Sequence, residues 1–198
     1  LVLTACAGQP APTVTVTQVT SASPSASPAP SASESPTPSE SPTAEPPSVP
    51  AAKGALDVGG DQAAFASPSG RIWCAVDTTG ALCHFPKGIR GIIPPSDDVC
   101  PGQGLDVTGV NITGTGPDYF CSGDPSAYPV KGQPAVGWHA KTGYPWVSYE
   151  SLKLAVLPYG KRLRAAGYVC LSAKEGVTCG NTATRQGFRV SLAGVVLF

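Results

Sequence analysis

The sequence lacks the short motifs that mark many hydrolase and phosphoryl-transfer sites. It contains no Gly-x-Ser-x-Gly, no Ser-x-x-Lys, no His-Glu-x-x-His and no phosphate-binding glycine loop. Each of these motifs holds a nucleophile, a general base or a phosphate cradle at a fixed spacing, and none can be assembled here. We therefore expect no catalytic residues and a protein that is not an enzyme.

Metal ligands are also scarce. Only two histidines occur, His84 and His139, and no two cysteines have the CxxC spacing of zinc and redox sites. Asp97 and Asp98 are adjacent and lack the alternating spacing of a calcium loop. These absences predict a protein without a metal or another cofactor.

Neither an excess of charge nor a long apolar run is present. The chain has 13 basic and 13 acidic residues, so no basic surface is expected and nucleic acid is not an expected partner. No stretch reaches the ~18–20 consecutive apolar residues of a transmembrane helix.

Residues 7–52 have a composition unlike the rest of the chain. Pro, Ser and Thr dominate this segment, and between residues 9 and 50 its only charged residues are Glu34, Glu40 and Glu45. Such a sequence buries too little apolar surface to offset the entropy of ordering it, which predicts a disordered linker. Residues 53–198 contain every Trp, Tyr and Phe, and they are expected to form one folded domain.

The first six residues end in a pattern typical of bacterial lipoproteins. Leu3-Thr4-Ala5-Cys6 resembles a lipobox, in which small residues flank the peptidase cut and the cysteine thiol receives the lipid. Residues 1–6 would then be the end of a signal peptide and its lipobox. Acyl chains on Cys6 would anchor the protein to the extracytoplasmic face of the cell membrane, with residues 7–52 as a stalk. The alternative is an unpaired thiol at a frayed terminus.

The other six cysteines predict disulfides in an exported domain. Fifteen pairings are possible for six cysteines. Cys74 and Cys83 are nine residues apart, as are Cys170 and Cys179, and in each case a glycine, Gly80 or Gly176, lies six residues after the first cysteine. A hairpin closed by a glycine at positive φ would place each pair face to face. We therefore favour Cys74–Cys83, Cys170–Cys179 and Cys100–Cys121.

Strand signals outnumber helix signals in the predicted domain. Alternating residues predict one strand over 149–157, a strand, turn and strand over 157–170, and a final strand over 187–198. Residues 86–134 are rich in Pro and Gly and are expected to form long ordered loops. The fold class is therefore all-β, a small disulfide-stabilised antiparallel barrel or sandwich.

One aromatic cluster is a candidate binding surface. Trp138, Tyr144 and Trp146 lie close together in the sequence, beside His139 and Tyr149. Exposed aromatic rings bind glycans or peptides in many domains, whereas buried rings pack in the core. Both interpretations remain open from the sequence.

Four segments resemble a family of secreted actinobacterial domains of unknown function. The family pattern reads Ser-Pro-Ser-Gly-Asn-Ile-x-Cys, then Leu-Pro-Tyr-Gly, then Gly-Val-Thr-Cys-x-Asn, then Gly-His-Gly-Phe. This sequence matches it at residues 67–70, Ile72 and Cys74, at 157–160, at 176–179 and Asn181, and at 187–188. It departs from the pattern at Arg71, in place of Asn, and at Arg185 and Gln186, in place of Gly-His. The resemblance implies an exported, disulfide-bonded β domain and assigns no activity.

These observations favour a non-enzymatic binding or sensor module held on a stalk at the cell envelope. A cell-wall polymer or an envelope protein is its expected partner. The alternatives are a cell-wall glycan- or peptide-acting enzyme with unrecognised catalytic residues and a structural envelope component. The shape of its clefts would separate them.

Overall fold

The computed structural model describes residues 46–198, which form mostly antiparallel β structure, so the predicted all-β fold class is confirmed. Cys6 and most of the predicted linker lie outside these residues. The strands are β1 Leu56–Asp57, β2 Ala63–Ala66, β3 Trp73–Val76, β4 Ala81–His84, β5 Val107–Thr113, β6 Gly116–Cys121, β7 Trp146–Tyr149, β8 Leu152–Ala155, β9 Arg162–Ala165, β10 Tyr168–Ala173, β11 Gly176–Asn181, β12 Gly187–Ser191 and β13 Gly194–Leu197. A short helix, α1 Ser96–Val99, and a 3₁₀ segment, Pro134–Lys141, complete the described part.

The strands form two facing sheets and a separate hairpin. The six-stranded sheet has the order β1-β9-β10-β11-β12-β13, and the five-stranded sheet has the order β2-β3-β4-β5-β6. Strands β7 and β8 form the hairpin. Neighbouring strands are antiparallel except β1 and β9, which are parallel. Short connections between consecutive strands explain this predominance.

The core lies between the two sheets. Its members include Phe65, Val110 and Phe188, each fully buried. Two disulfides occupy its centre, because Cys179 Sγ lies within 4.8 Å of both Cys74 Sγ and Cys83 Sγ. Each disulfide therefore cross-links the two strands of its own hairpin, and the two disulfides also pack against each other between the sheets.

All three disulfides join the cysteines that the spacing favours. The bonds are Cys74–Cys83, Cys100–Cys121 and Cys170–Cys179. In each nine-residue pair the cysteines lie directly opposite in the register of the hairpin, β3 with β4 and β10 with β11. Alternating side chains turn both cysteines of a pair to the same face, toward the core.

The predicted positive φ is present at Gly176, at +135°, but not at Gly80. At Gly80 the reason for glycine is space, because a Cβ there would lie 2.3 Å from the Ile112 carbonyl oxygen. The β3–β4 turn is held instead by Asp77, whose Oδ1 accepts hydrogen bonds from the backbone N–H groups of Thr79 and Gly80 at 2.7 and 3.1 Å. Asp commonly bonds nearby backbone in turns.

A third layer covers the outer face of the five-stranded sheet. Trp73 is 1% exposed and packs against Tyr149 with ring centroids 4.8 Å apart. The predicted single strand over 149–157 is wrong, because β7 ends at Tyr149 and Glu150, with φ of 53°, opens a turn into β8. The resulting hairpin buries Leu154 against Trp73.

One loop prediction and one strand prediction also need correction. Residues 86–134 contain the β5–β6 hairpin as well as loops, and the alternation of Val110, Asn111 and Ile112 supplies its buried face. The final segment forms two strands, because the chain reverses at Leu192 and Ala193 and pairs Ser191 with Gly194. Cys100 follows α1 and ties it to the end of β6.

The packed domain begins before the predicted boundary at Lys53. Val49 is 6% exposed, and Pro50 is also buried. The methyl groups of Val49 lie on Gly180 of β11, where a Cβ would approach Val49 Cγ2 to 2.6 Å. The end of the predicted linker is therefore part of the folded unit.

Candidate functional site

Several turns meet at one end of the sheets and enclose a cleft of about 340 Å³. We call it the serine cleft and define it by Ser67, Ser69, Arg90, Tyr159, Lys174 and Ser191, which line it. These residues come from five separate segments of the chain. The volume falls at the low end of the range for small-molecule sites.

The first wall is the turn between β2 and β3. Ser67, Pro68, Ser69 and Gly70 form it, with the Gly70 N–H donating to the Ser67 carbonyl at 2.8 Å. Pro at the second position and Gly at the fourth favour such a turn. Gly70 has φ of 69°, and its carbonyl accepts a hydrogen bond from Trp73 Nε1 at 2.8 Å. The turn is thereby fixed to the third layer.

The second wall is the turn after β8. The Leu157 N–H donates to the Ala66 carbonyl at 3.0 Å, which places this turn beside the first. The Lys161 N–H donates to the Pro158 carbonyl at 3.0 Å, and Gly160 adopts φ of 78°. Tyr159 lies at the tip, is 41% exposed and lines the cleft.

The third wall comes from the turns of the six-stranded sheet. Lys174 and Glu175 lie between β10 and β11, and the Gly160 N–H donates to the Ser172 carbonyl at 2.7 Å beside them. The Arg90 N–H donates to the Leu192 carbonyl at 2.7 Å, which holds the loop after β4 against the β12–β13 turn. Arg90 is thereby brought to the same cleft as Lys174.

The two serines of the first turn leave one hydroxyl proton available. Ser67 Oγ accepts a hydrogen bond from the Ile72 N–H at 3.2 Å and lies 3.0 Å from Ser69 Oγ. A hydroxyl has one proton to donate, so the serine that accepts from the other keeps its own proton. Within residues 46–198 no acceptor is bonded to that remaining proton.

The charged side chains that line the cleft form no ion pairs within residues 46–198. The one ion pair in the described part of the chain joins Arg164 to Asp57, away from the cleft. Arg90, Lys174 and Glu175 therefore have no ion-pair partner within residues 46–198. Two cations and one carboxylate face the same space.

The hydrogen-bond partners of Ser67 and Ser69 do not include a general base. A serine nucleophile needs a base within hydrogen-bond reach. Ser67 and Ser69 bond to each other and to backbone groups, and no imidazole or carboxylate of residues 46–198 bonds to either. The cleft offers hydroxyls, an aromatic ring and unpaired charges.

Two other hollows are also bordered by charged residues. One, of about 280 Å³, is bordered by Asp57 and Arg164, which already neutralise each other. A second, of about 520 Å³, is larger than the serine cleft and is bordered by Asp61, Asp77 and Lys141. Asp77 Oδ1 is occupied by its own turn, whereas Asp61 and Lys141 have no ion-pair partner within residues 46–198.

The predicted aromatic surface is not a single surface. Trp138 is 6% exposed, and its Nε1 donates to the Ala64 carbonyl at 3.1 Å, so this residue belongs to the core. Tyr144 is half-buried, with its ring centroid 6.4 Å from that of Trp138. Trp146 alone is open, at 37% exposure. Of the two interpretations that the sequence leaves open, core packing is therefore the correct one for Trp138, and its assignment as a ligand-binding residue is wrong.

Both histidines are buried. His139 Nε2 lies 3.1 Å from the Pro145 carbonyl, and because a carbonyl only accepts, this nitrogen carries the proton. His84 Nδ1 has no hydrogen-bond partner in the described part of the chain. Burial lowers the pKa of His84 from its ordinary value of 6.5, so the ring is neutral at neutral pH.

The sulfur atoms of Cys74, Cys83 and Cys179 are close enough to hold a metal ion. All three are disulfide-bonded, and an oxidised sulfur is not the thiolate that binds zinc. This cluster is explained by the two packed disulfides.

None of the helices within residues 46–198 has the length and apolar character needed to span a bilayer.

Comparison with known proteins gives no relative for this chain: no family model, no curated protein and no solved structure matches it.

The sequence alone did not predict the serine cleft as a site. Three of the four segments that resemble the secreted actinobacterial family, residues 67–70, 157–160 and 176–179, nevertheless reach this cleft or border it. Their spacing in sequence conceals their proximity.

Proposed function

We propose that the protein is a lipid-anchored binding module of the cell envelope and that the serine cleft is its ligand site. The observation that carries the proposal is the convergence of three motif segments on one cleft with unpaired charges and a free hydroxyl proton. These are the segments on which the resemblance to secreted actinobacterial domains rests. A purely structural role would not require these polar groups to face an open space.

The three disulfides indicate an extracytoplasmic location, because such bonds persist in oxidising compartments. The lipid anchor is the finer part of the proposal. It is supported by Leu3-Thr4-Ala5-Cys6 and by the Pro/Ser/Thr-rich segment that follows. Mass spectrometry of the protein from its native host should find a diacylglycerol on Cys6, and Cys6→Ser should release the protein from the membrane.

The binding proposal is tested by capture of envelope material on the full chain. Tyr159→Ala and Trp146→Ala form a matched pair, because both remove an exposed aromatic ring. We expect Tyr159→Ala to abolish capture of solubilised cell-wall and membrane fractions, whereas Trp146→Ala retains it. Both variants should keep the thermal stability of the wild type.

Other outcomes would favour other functions. Loss of capture in Trp146→Ala alone would move the site to the aromatic cluster. Absence of capture by the wild type would favour a structural component. Turnover of a cell-wall fragment by the wild type would show that the protein is an enzyme.

A further inference from the structure

We infer that the serine cleft binds an acidic saccharide, a sugar that carries a carboxylate or a phosphate group. The inference rests on the proposed function and adds the class of ligand. It is argued from three features of the cleft: its hydroxyls, its aromatic ring and its balance of charge.

The hydroxyls match a polyhydroxylated ligand. One proton of the Ser67–Ser69 pair has no acceptor within residues 46–198, and Tyr159, which also carries a hydroxyl, lines the same cleft. Hydroxyl groups both donate and accept, as do the hydroxyls of a sugar. A site of this kind can exchange hydrogen bonds with several neighbouring sugar hydroxyls, whereas an apolar ligand would leave the hydroxyls of the cleft unpaired.

Tyr159 supplies an apolar surface beside those polar groups. Its ring is 41% exposed at the tip of a turn fixed by the Lys161-to-Pro158 hydrogen bond and by Gly160. An amphipathic ring of this kind presents an apolar face and a polar end to a ligand. The C–H face of a sugar ring is apolar and can lie on it while its hydroxyls reach the serines.

The charges select an acidic sugar over a neutral one. Arg90 and Lys174 line the cleft, and neither has an ion-pair partner among residues 46–198. Arg can bind a carboxylate or a phosphate through two parallel hydrogen bonds, and Lys adds a point charge. Glu175 supplies one acceptor for a sugar hydroxyl, so the excess of positive charge is left for the acidic group.

The test uses the full oxidised chain and four probes: glucose, glucuronate, glucose 6-phosphate and inorganic phosphate. Binding is followed by titration of backbone amide chemical shifts, which also locates the site through Gly70, Gly160 and Gly176. We expect glucuronate or glucose 6-phosphate to bind at least about tenfold more tightly than glucose, the size of one good charged contact. The two charged sugars separate a carboxylate ligand from a phosphate ligand.

The Arg90→Ala, Lys174→Ala double variant should lose this preference and, with Glu175 left in the cleft, bind both charged sugars no more tightly than glucose. Lys131→Ala is the matched control, because Lys131 lies over the Trp146 ring and outside the cleft. The control should bind as the wild type does. Added salt should weaken the binding of the charged sugars and leave glucose unchanged.

Equal binding of glucose and both charged sugars to the wild type would overturn the acidic class and leave the cleft a saccharide site. Inorganic phosphate binding as tightly as glucose 6-phosphate would overturn the saccharide part. If no probe binds while Tyr159→Ala still abolishes envelope capture, the ligand class is wrong and the proposed function stands. If no probe binds and Tyr159→Ala retains capture, both are wrong.

Discussion

The β3–β4 and β10–β11 hairpins each contain a nine-residue cysteine spacing closed by a cross-strand disulfide. Their inner faces are alike, since both disulfides are fully buried and pack together. Their surroundings differ. The outer face of β3–β4 is covered by the third layer, whereas the turn of β10–β11 opens onto the serine cleft.

This difference shows what the repeated spacing does and does not determine. The spacing fixes the register, because side chains two residues apart share a face of a strand. It does not determine what lies beyond the strands. The β3–β4 hairpin lies beneath the third layer, and the β10–β11 hairpin places Lys174 and Glu175 at the serine cleft, the proposed ligand site.

The two hairpins should differ most in the unfolding free energy lost when the residue before the first cysteine is changed to Ala. Trp73 is 1% exposed, contacts Tyr149 and donates a hydrogen bond to Gly70, so Trp73→Ala should cost about 3–5 kcal/mol of unfolding free energy. Val169→Ala, at the equivalent position, should cost about 1–2 kcal/mol, because it removes two methyl groups. Chemical denaturation of the full chains measures both values. Equal losses would show that the third layer adds nothing.

Substitution of the turn glycines Gly80 and Gly176 by Ala should reduce stability for different physical reasons. A Cβ at Gly80 or Gly176 would lie 2.3 or 2.4 Å from a carbonyl oxygen, so each Gly→Ala should cost about 1–3 kcal/mol through crowding. Gly176 also has φ of +135°, so its substitution should cost about 1–2 kcal/mol more. Gly167→Ala is the control for backbone strain alone, because Gly167 has φ of +85° and no atom within 4 Å. A neutral Gly80→Ala would contradict the close approach to Ile112.

The Cys74–Cys83 and Cys170–Cys179 disulfides should contribute nearly equally to the free energy of unfolding. Removal of Cys74–Cys83 or of Cys170–Cys179 by paired Cys→Ala substitutions should each cost about 2–3 kcal/mol, because the two loops have the same length and the sulfurs are equally buried. Thermal denaturation of each double variant measures the loss. A difference above about 2 kcal/mol would show that the surroundings matter more than loop closure.

Acid sensitivity between pH 7.5 and 5 should differ between the two hairpins. His84 follows Cys83, and the equivalent position in the other hairpin is Gly180, which does not titrate. Because burial lowers the pKa of His84 below 6.5, the unfolded chain binds its proton first. The contribution of His84 to stability is complete above pH 6.5 and should be lost as the pH falls through the lowered folded-state pKa.

Melting temperatures between pH 7.5 and 5 test this expectation. His84→Leu should flatten the loss of stability on acidification compared with the wild type. An unchanged slope would assign the acid sensitivity to other groups.

The fold could be predicted from the sequence where the signals are local. The cysteine spacing and turn glycines locate both hairpins and their disulfides. The β5–β6 hairpin was missed because Pro and Gly in residues 86–134 outweighed the alternation from Val107 to Thr113. The turn at Leu192 and Ala193 was missed because neither residue is a turn former.

The site could not be predicted in the same way. Ser67, Arg90, Tyr159 and Lys174 meet only after the two sheets pack, and no periodicity in the sequence relates them. Trp138 illustrates the opposite failure. Its position in an aromatic cluster suggested a surface, but whether a ring is buried depends on the strand that packs against it, here β2 through Ala64.

The most direct test of this contrast is a chemical-shift map of the full chain titrated with soluble cell-wall fragments from the host. We predict shifts at Gly70, Gly160 and Gly176, around the serine cleft, and none at Gly80 in the β3–β4 turn. Shifts centred on Gly80 or on Trp146, with the cleft glycines unchanged, would contradict the assignment of binding to the β10–β11 side.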